Sequence, residues 1–320
     1  MFCCMDISRV SGKGRLGVLA AAMTVIALAA SGCSKAGTAA TADPTTVISA
    51  IGAENEYANV LSQIGGRYVH VSAILDNPNT DPHTFEASPQ VAQEVSSAQL
   101  IVQNGAGYDG WLSKIESASP NSKRKLIIVQ DLLGLPGNTP NPHLWYDPKT
   151  MPIAAKAIAA DLAALQPDHK AYFQANLAKF DSSLTPLLTA IAQFKATHPG
   201  TEAATTEPVA DYLLAAMGIR NRTPFTFQAH IMSGVDPAPE DIALENGFFT
   251  KHQVQVFCYN QQVVDALTTS IRQNAVKAGV PVVGVYETMP TGYDYQSWML
   301  AEVHAIQKAV TSKISTQKLS

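Results

Sequence analysis

Little in this 320-residue chain fits a disulfide-built or nucleic-acid-binding protein. It has 4 cysteines and no Cys-x-x-Cys pair, so neither a thiolate zinc knuckle nor a dithiol redox centre is available. Lys and Arg total 22 against 26 Asp and Glu, a formal net charge of -4. That balance offers no general attraction for phosphate and argues against nucleic acid as a partner. A His-Glu-x-x-His helix, the usual mark of a zinc hydrolase, is missing as well. Only residues 16–30 form a run both long and apolar enough to enter a bilayer, which excludes a multi-span membrane protein. What is plentiful is apolar residue. At 46% hydrophobic and 15% charged, the chain is far from a disordered composition. Its length suits two domains of about 100–200 residues each, with real cores.

The N-terminal run reads as an export signal. Arg9, Lys13 and Arg15 precede residues 16–30, a stretch shorter than a comfortable membrane span of ~20 residues. Ala29, Ala30, Ser31 and Gly32 then lead to Cys33. This resembles a bacterial lipobox, with Ala30 where leucine is most common, and it makes Cys33 the expected lipidation site. Ordinary cleavage that leaves Cys33 a bystander is the alternative. The expected layout is a signal peptide over 1–32 and an Ala/Thr/Gly-rich flexible tether over 33–46. Cys3 and Cys4 precede the signal core, and Cys258 sits in the apolar run 254–259 as a buried strand residue.

The remainder is organised in repeating style. Short β-branched runs end near Ile51, Leu75, Val102 and Val129, and a second set falls at 203–206, 225–228, 254–259 and 280–286. Strands alternating with helical segments predict an α/β protein of two lobes. Each lobe carries a mostly parallel four-stranded sheet flanked by helices, the N-terminal one over 47–166 and the C-terminal one over 199–320. Between them, Phe173, Leu177, Phe180, Leu184, Leu187, Ile191 and Phe194 recur at spacings of four and three, which places them on one helical stripe. One long linking helix over 167–198 is expected, bent near 182–186 by Pro186 and acting as a stiff strut between the lobes.

Four side chains carry the chemistry. His83 follows the strand ending at Leu75 and a proline-punctuated turn, and His143 follows the strand 126–129 and a Gly/Pro loop. Glu207 comes after the run 203–206, and Glu287 after 280–286. All four lie beyond carboxyl ends of strands, where open α/β sheets bind ligands, and a cleft between lobes would let them converge. Alone, each has an ordinary reading: surface or capping for the histidines, helix N-terminus for Glu207, solvated loop for Glu287.

These segments resemble the cluster A-I solute-binding proteins, the extracytoplasmic receptors of zinc and manganese ABC importers. The likeness runs from about Val47 to Leu300. It rests on Ala53-Glu54-Asn55, Asp81-Pro82-His83, the segment from Asn104 to Trp111, His143-Leu144-Trp145 with Asp147-Pro148, the segment from Glu207 to Tyr212, and Glu287-Thr288-Met289-Pro290. The resemblance implies a C-clamp fold with a backbone helix. It implies a metal held by His83, His143, Glu207 and Glu287, and no enzymatic activity. The ion would be cargo, Zn2+ or Mn2+, passed to an ABC permease driven by a cytoplasmic ATPase. The protein would be a monomer, anchored by lipid to the outer face of the cytoplasmic membrane, and an additional role in cell adhesion is compatible.

Imidazole and carboxylate donors suit zinc or manganese, and the lack of thiolates disfavours copper(I). No His-rich tract of the kind many zinc members carry is present. Together with two carboxylates this leans towards manganese, while the Irving–Williams order favours zinc in vitro. Asp147 is a candidate second partner for a ligand histidine, by proximity alone.

Two other functions compete. A secreted metallohydrolase would use the same four residues, but a fourth protein ligand leaves no open position for an activated water. A dinucleotide-binding oxidoreductase would use the Gly105–Gly110 fingerprint with Asp131 about 20 residues on. Against it stand export and a segment over 117–122 too broken for the required helix.

Overall fold

The computed structural model describes residues 47–319 apart from Thr80. The signal, tether and Cys33 expectations therefore lie outside the described residues.

The first half builds β1 (Ile48–Glu54), α1 (Asn55–Gly65), β2 (Val69–Leu75), α2 (Pro89–Ser97), β3 (Leu100–Gln103), α3 (Gly110–Ala118), β4 (Lys125–Ile128), a single turn α4 (Val129–Leu132) and α5 (Thr150–Leu165). The second half begins after α6 (Lys170–Ser183) and α7 (Thr185–Thr197). It contains β5 (Glu202–Thr205), α8 (Asp211–Ala216), β6 (Arg220–Asn221), α9 (Phe225–Met232) and α10 (Pro239–Thr250). β7 (Val256–Asn260), α11 (Ala266–Lys277), β8 (Val282–Val285) and α12 (Tyr295–Ser312) complete it.

The strands form two four-stranded sheets of the same topology, in orders β2-β1-β3-β4 and β6-β5-β7-β8. Every strand pair is parallel. Parallel strands covered by helices on both faces have no wet side, which is why β3, β7 and β8 are buried along their whole lengths. Both sheets reverse strand order between their two central strands. The carboxyl ends of β1 and β3, and of β5 and β7, therefore flank crevices where loops diverge, the usual place for a ligand.

Two expectations change. The run 225–228 is not a strand but the start of α9; the edge strand is the two-residue β6 just before it. Pro224 ends the extended backbone there, and its carbonyl accepts from Phe227 N to open the helix. The linking stretch is helical but divided at Leu184 into α6 and α7, with Pro186 in the first turn of α7. Placed there, the proline's missing N–H leaves no helix bond unmade. Of the apolar stripe, six residues are buried and Leu177 packs partly buried on the same core. α6 packs on α1 and α5 of the first lobe, and α7 on α12 of the second.

One apolar cluster runs through both lobes, from Ile48 and Leu61 through Trp145 and Phe180 to Trp298 and Ile306. Hydrogen bonds tie the halves together across it. Asn55 and Met289 exchange side-chain and backbone bonds at 2.9 Å each way, Tyr146 Oη donates to the Tyr286 carbonyl at 2.8 Å, and Tyr295 Oη donates to the Trp145 carbonyl at 2.7 Å. At the open edge of the second sheet the C-terminal segment lies along β8. Gly284 N donates to the Thr316 carbonyl and Thr316 N to the Val282 carbonyl, both at 2.9 Å. Gly284 is required by that contact, since a Cβ there would fall 2.1 Å from the Gln317 carbonyl oxygen.

Candidate metal centre

His83 sits in a 3₁₀ turn, Pro82–Thr84, that follows β2. The turn is set by Asp81, whose carboxylate accepts from His83 N at 2.8 Å, a local cap that fixes where the imidazole leaves the backbone. His143 is the residue before another 3₁₀ turn, Leu144–Tyr146, and is fully buried. Asn141 holds it twice: its Oδ1 accepts from His143 N at 3.0 Å and lies 2.8 Å from His143 Nδ1. An amide oxygen can only accept, so Nδ1 donates to it and Nε2 is the ring nitrogen left to face the site.

That nitrogen faces Glu287. Oε2 of Glu287 lies 3.1 Å from His143 Nε2 and 3.1 Å from His83 Nε2. One donor atom from each of these three residues lies within 4.8 Å of the others. Tyr108 Oη donates to the same Oε2 at 3.0 Å. Burial alone would raise the Glu287 pKa, but hydrogen bonds from His143 and then His83 override it and hold the carboxyl well below its ordinary value. His143 is shifted down, burial being the largest cause. At His83 burial works in the same direction, but Glu287 and Asp81 outweigh it and the net shift is upward.

Glu207 is buried and lies just outside this trio. Its Oε1 accepts from Asn260 Nδ2 at 3.0 Å, and the same amide donates to Glu287 Oε1 at 2.7 Å. Its Oε2 is buried with no hydrogen-bond partner among the described residues. Burial, then the charge of Glu287, raises the Glu207 pKa well above the usual carboxylate range. An orphaned carboxylate oxygen on an acid that shares an amide with Glu287 is a group waiting for a cation. The side chain of His83 keeps 21% of its surface exposed, while those of His143 and Glu287 keep none, so solvent reaches the trio at His83. Beside it lies a cavity of about 230 Å³ lined by Leu75, Asp76, Asp81, Phe85 and Thr288, among others.

The structure thus brings His83, His143 and Glu287 together directly and Glu207 through Asn260. It does not use Asp147 as expected. That carboxylate accepts from Lys149 N at 3.0 Å, one 3₁₀ turn beyond His143, and Asn141 has its place because it precedes the histidine by two residues and can fold back on it. Tyr108, Asn141 and Asn260 were given no role by the sequence reading; only the position of Asn260 at the end of an apolar strand hinted at one. The glycine fingerprint has a different use. Gly105 and Gly107 both have φ +80°, and they turn the backbone so that Gly105 N meets the Asp109 carboxylate and Tyr108 reaches Glu287.

A family model described as "ZnuA: Zinc-uptake complex component A periplasmic" matches residues 53–309. The chain belongs to this family. Curated relatives include the manganese ABC transporter substrate-binding lipoprotein PsaA of Streptococcus mitis, 29% identical over 142 residues, which covers 41% of this chain and 46% of that one. The manganese-binding lipoprotein MntA of Bacillus subtilis is 23% identical over 172 residues, covering 52% of this chain and 55% of the relative. The chain spans about half the length of the curated relatives it matches. Among solved structures, a ZnuA crystal structure superposes with a TM-score of 0.67 at 25% identity, covering 83% of this family member and 100% of that chain. The periplasmic zinc-binding protein TroA of Treponema pallidum gives 0.70 at 17% identity, covering 84% and 99%, a likeness of fold. The two-lobed architecture expected from the sequence is that of the family.

Proposed function

We propose that this chain is the extracytoplasmic substrate-binding component of an ABC importer. It captures one divalent transition-metal ion, zinc or manganese, between its lobes and presents it to a membrane permease coupled to a cytoplasmic ATPase. The observation that carries this is the convergence of donor atoms of His83, His143 and Glu287 within 4.8 Å, with Glu207 joined to Glu287 through Asn260 and its own Oε2 unpartnered among the described residues. Two imidazoles and two carboxylates form a closed donor set for a borderline cation. Without the ion, Glu287 Oε2 lies 3.1 Å from the Nε2 atoms of both rings. On binding, the cation takes over the two Nε2 lone pairs and neutralises the paired acids. Four protein donors leave no position for an activated water, so the site holds and releases its ion and does no chemistry on a substrate.

Family membership and relatives described as lipoproteins support export and anchoring. The anchor assignment is lipid on Cys33, and Cys33→Ala should release the protein from membranes; unchanged retention contradicts it. The metal assignment is tested by metal analysis of the purified protein and competitive zinc and manganese titration of His83→Ala, His143→Ala, Glu207→Ala and Glu287→Ala. Each variant should lose affinity for both ions. Wild-type binding in all four removes the assignment.

A further inference from the structure

Asn260 stands between the two acids for a topological reason. In the second sheet β7 lies between β5 and β8, and the carboxyl ends of these three neighbours deliver Glu207, Asn260 and Glu287 side by side. Asn260 is itself fully buried, and its remaining polar groups are committed. Its backbone N donates to Thr206 Oγ1 at 3.0 Å, and its Oδ1 accepts from Gln262 N at 3.0 Å. A backbone N–H facing Oδ1 fixes which end of the amide is oxygen, so the NH2 group must face the acids. Its two N–H bonds diverge in the amide plane, and each finds one carboxylate: Glu207 Oε1 at 3.0 Å and Glu287 Oε1 at 2.7 Å. Each acid thereby has one oxygen tied to Asn260 and the other outside that clamp: Glu207 Oε2 has no partner among the described residues, and Glu287 Oε2 lies 3.1 Å from both histidine Nε2 atoms. Glu287 Oε2 is further held there by Tyr108.

We propose that Asn260 is a positioning residue that restricts Glu207 and Glu287 to one metal-binding oxygen each, and so sets the coordination number and the zinc-over-manganese preference of the site. The proposal rests on the metal-site reading above and deepens it. With both Oε1 atoms engaged, the chain offers two nitrogens and two oxygens, the number zinc takes in closed sites. Manganese, which favours six-coordinate oxygen-rich surroundings, can raise its ligand count only by recruiting a second carboxylate oxygen or water. Asn260 withholds the former, and burial everywhere except at His83 limits the latter.

The test is competitive zinc and manganese titration of the full-length protein and of Asn260→Ser and Asn260→Ala, with zinc-edge X-ray absorption on the loaded wild type. In the variants zinc affinity should fall about tenfold, in line with the loss of a partner behind the ligands, while manganese affinity changes less than about threefold. The zinc-to-manganese ratio then narrows, and the zinc of the wild type shows four light-atom neighbours. Equal weakening of both metals overturns the proposal and leaves Asn260 a structural residue. A bidentate carboxylate in the wild-type spectrum overturns it without any variant, should the substitutions fail to fold. His83→Ala and Glu207→Ala run alongside: if they bind as wild type does, the site itself is misplaced, whereas their loss of binding with an unchanged ratio at Asn260 removes the clamp alone.

Discussion

Of the residues that shape the site, Asn141 reaches furthest. Its Oδ1 orients His143 while its Nδ2 donates to the Pro208 carbonyl at 2.8 Å, next to Glu207, so one amide couples a ligand of each lobe. Tyr212 Oη adds a bond to the Asn141 carbonyl at 3.0 Å. Asn141→Ala should therefore lower zinc affinity by roughly 10–100-fold while leaving the fold intact, measured by competition with a chromogenic chelator. A second buried acid makes a prediction away from the site. Glu245 on α10 has one oxygen accepting from Thr223 Oγ1 at 2.9 Å and the other without a partner among the described residues; burial pushes its pKa from 4.5 up to about 8. Between those values the folded chain keeps a proton that the unfolded chain has released. Stability therefore falls as pH rises through that window and levels off above it. Glu245→Gln removes the charge, so its stability advantage over wild type should be small near pH 4.5 and grow to a few kcal/mol above pH 8, read from urea midpoints. At this scale His83, His143 and Glu287 were legible because a ligand must sit beyond a strand end. Asn141, Asn260 and Tyr108 were not, because an amide or phenol becomes a ligand's partner only through three-dimensional placement.

Elements were legible where their periodicity was long. The seven-residue apolar stripe over 173–194 falls on two helices, α6 and α7, and is buried almost throughout, and seven of the eight strands fall at or beside the β-branched runs. The eighth, β6, has two residues and no pattern of its own; it exists because β5 offers it an edge, Glu202 pairing with Arg220 and Ala203 with Asn221. Phe225, Phe227 and their neighbours looked like a strand because aromatic residues favour strands, but packing of Phe227 into the second core decides for a helix. Helix ends are set by local chemistry. α12 opens with a capping box in which Asp294 accepts from Ser297 N at 2.8 Å and Asp294 N donates to Ser297 Oγ at 3.1 Å. Asp294→Ala should cost about 1 kcal/mol of stability, seen as a drop of a few degrees in Tm, with metal affinity unchanged. An equal loss of metal affinity would mean that α12 orients the Glu287 loop more tightly than its cap suggests.

Among the described residues the largest apolar cluster spans both lobes, and hydrogen bonds at Asn55, Tyr146 and Tyr295 cross between them, which resists independent swinging of the halves. Export, by contrast, was read from the pattern of residues 1–46, which lie outside the described residues. Binding that is specific to the folded state stabilises it by mass action, about 4 kcal/mol at a thousandfold excess over Kd. Zinc should accordingly raise Tm by roughly 10 °C, reversibly on chelation, and fail to do so in His143→Ala. The strip of backbone that Thr316 lays along β8 has a bearing of its own on how the molecule meets its neighbours. It covers part of a sheet margin, and a covered edge offers fewer unpaired N–H and C=O groups to strands from other copies.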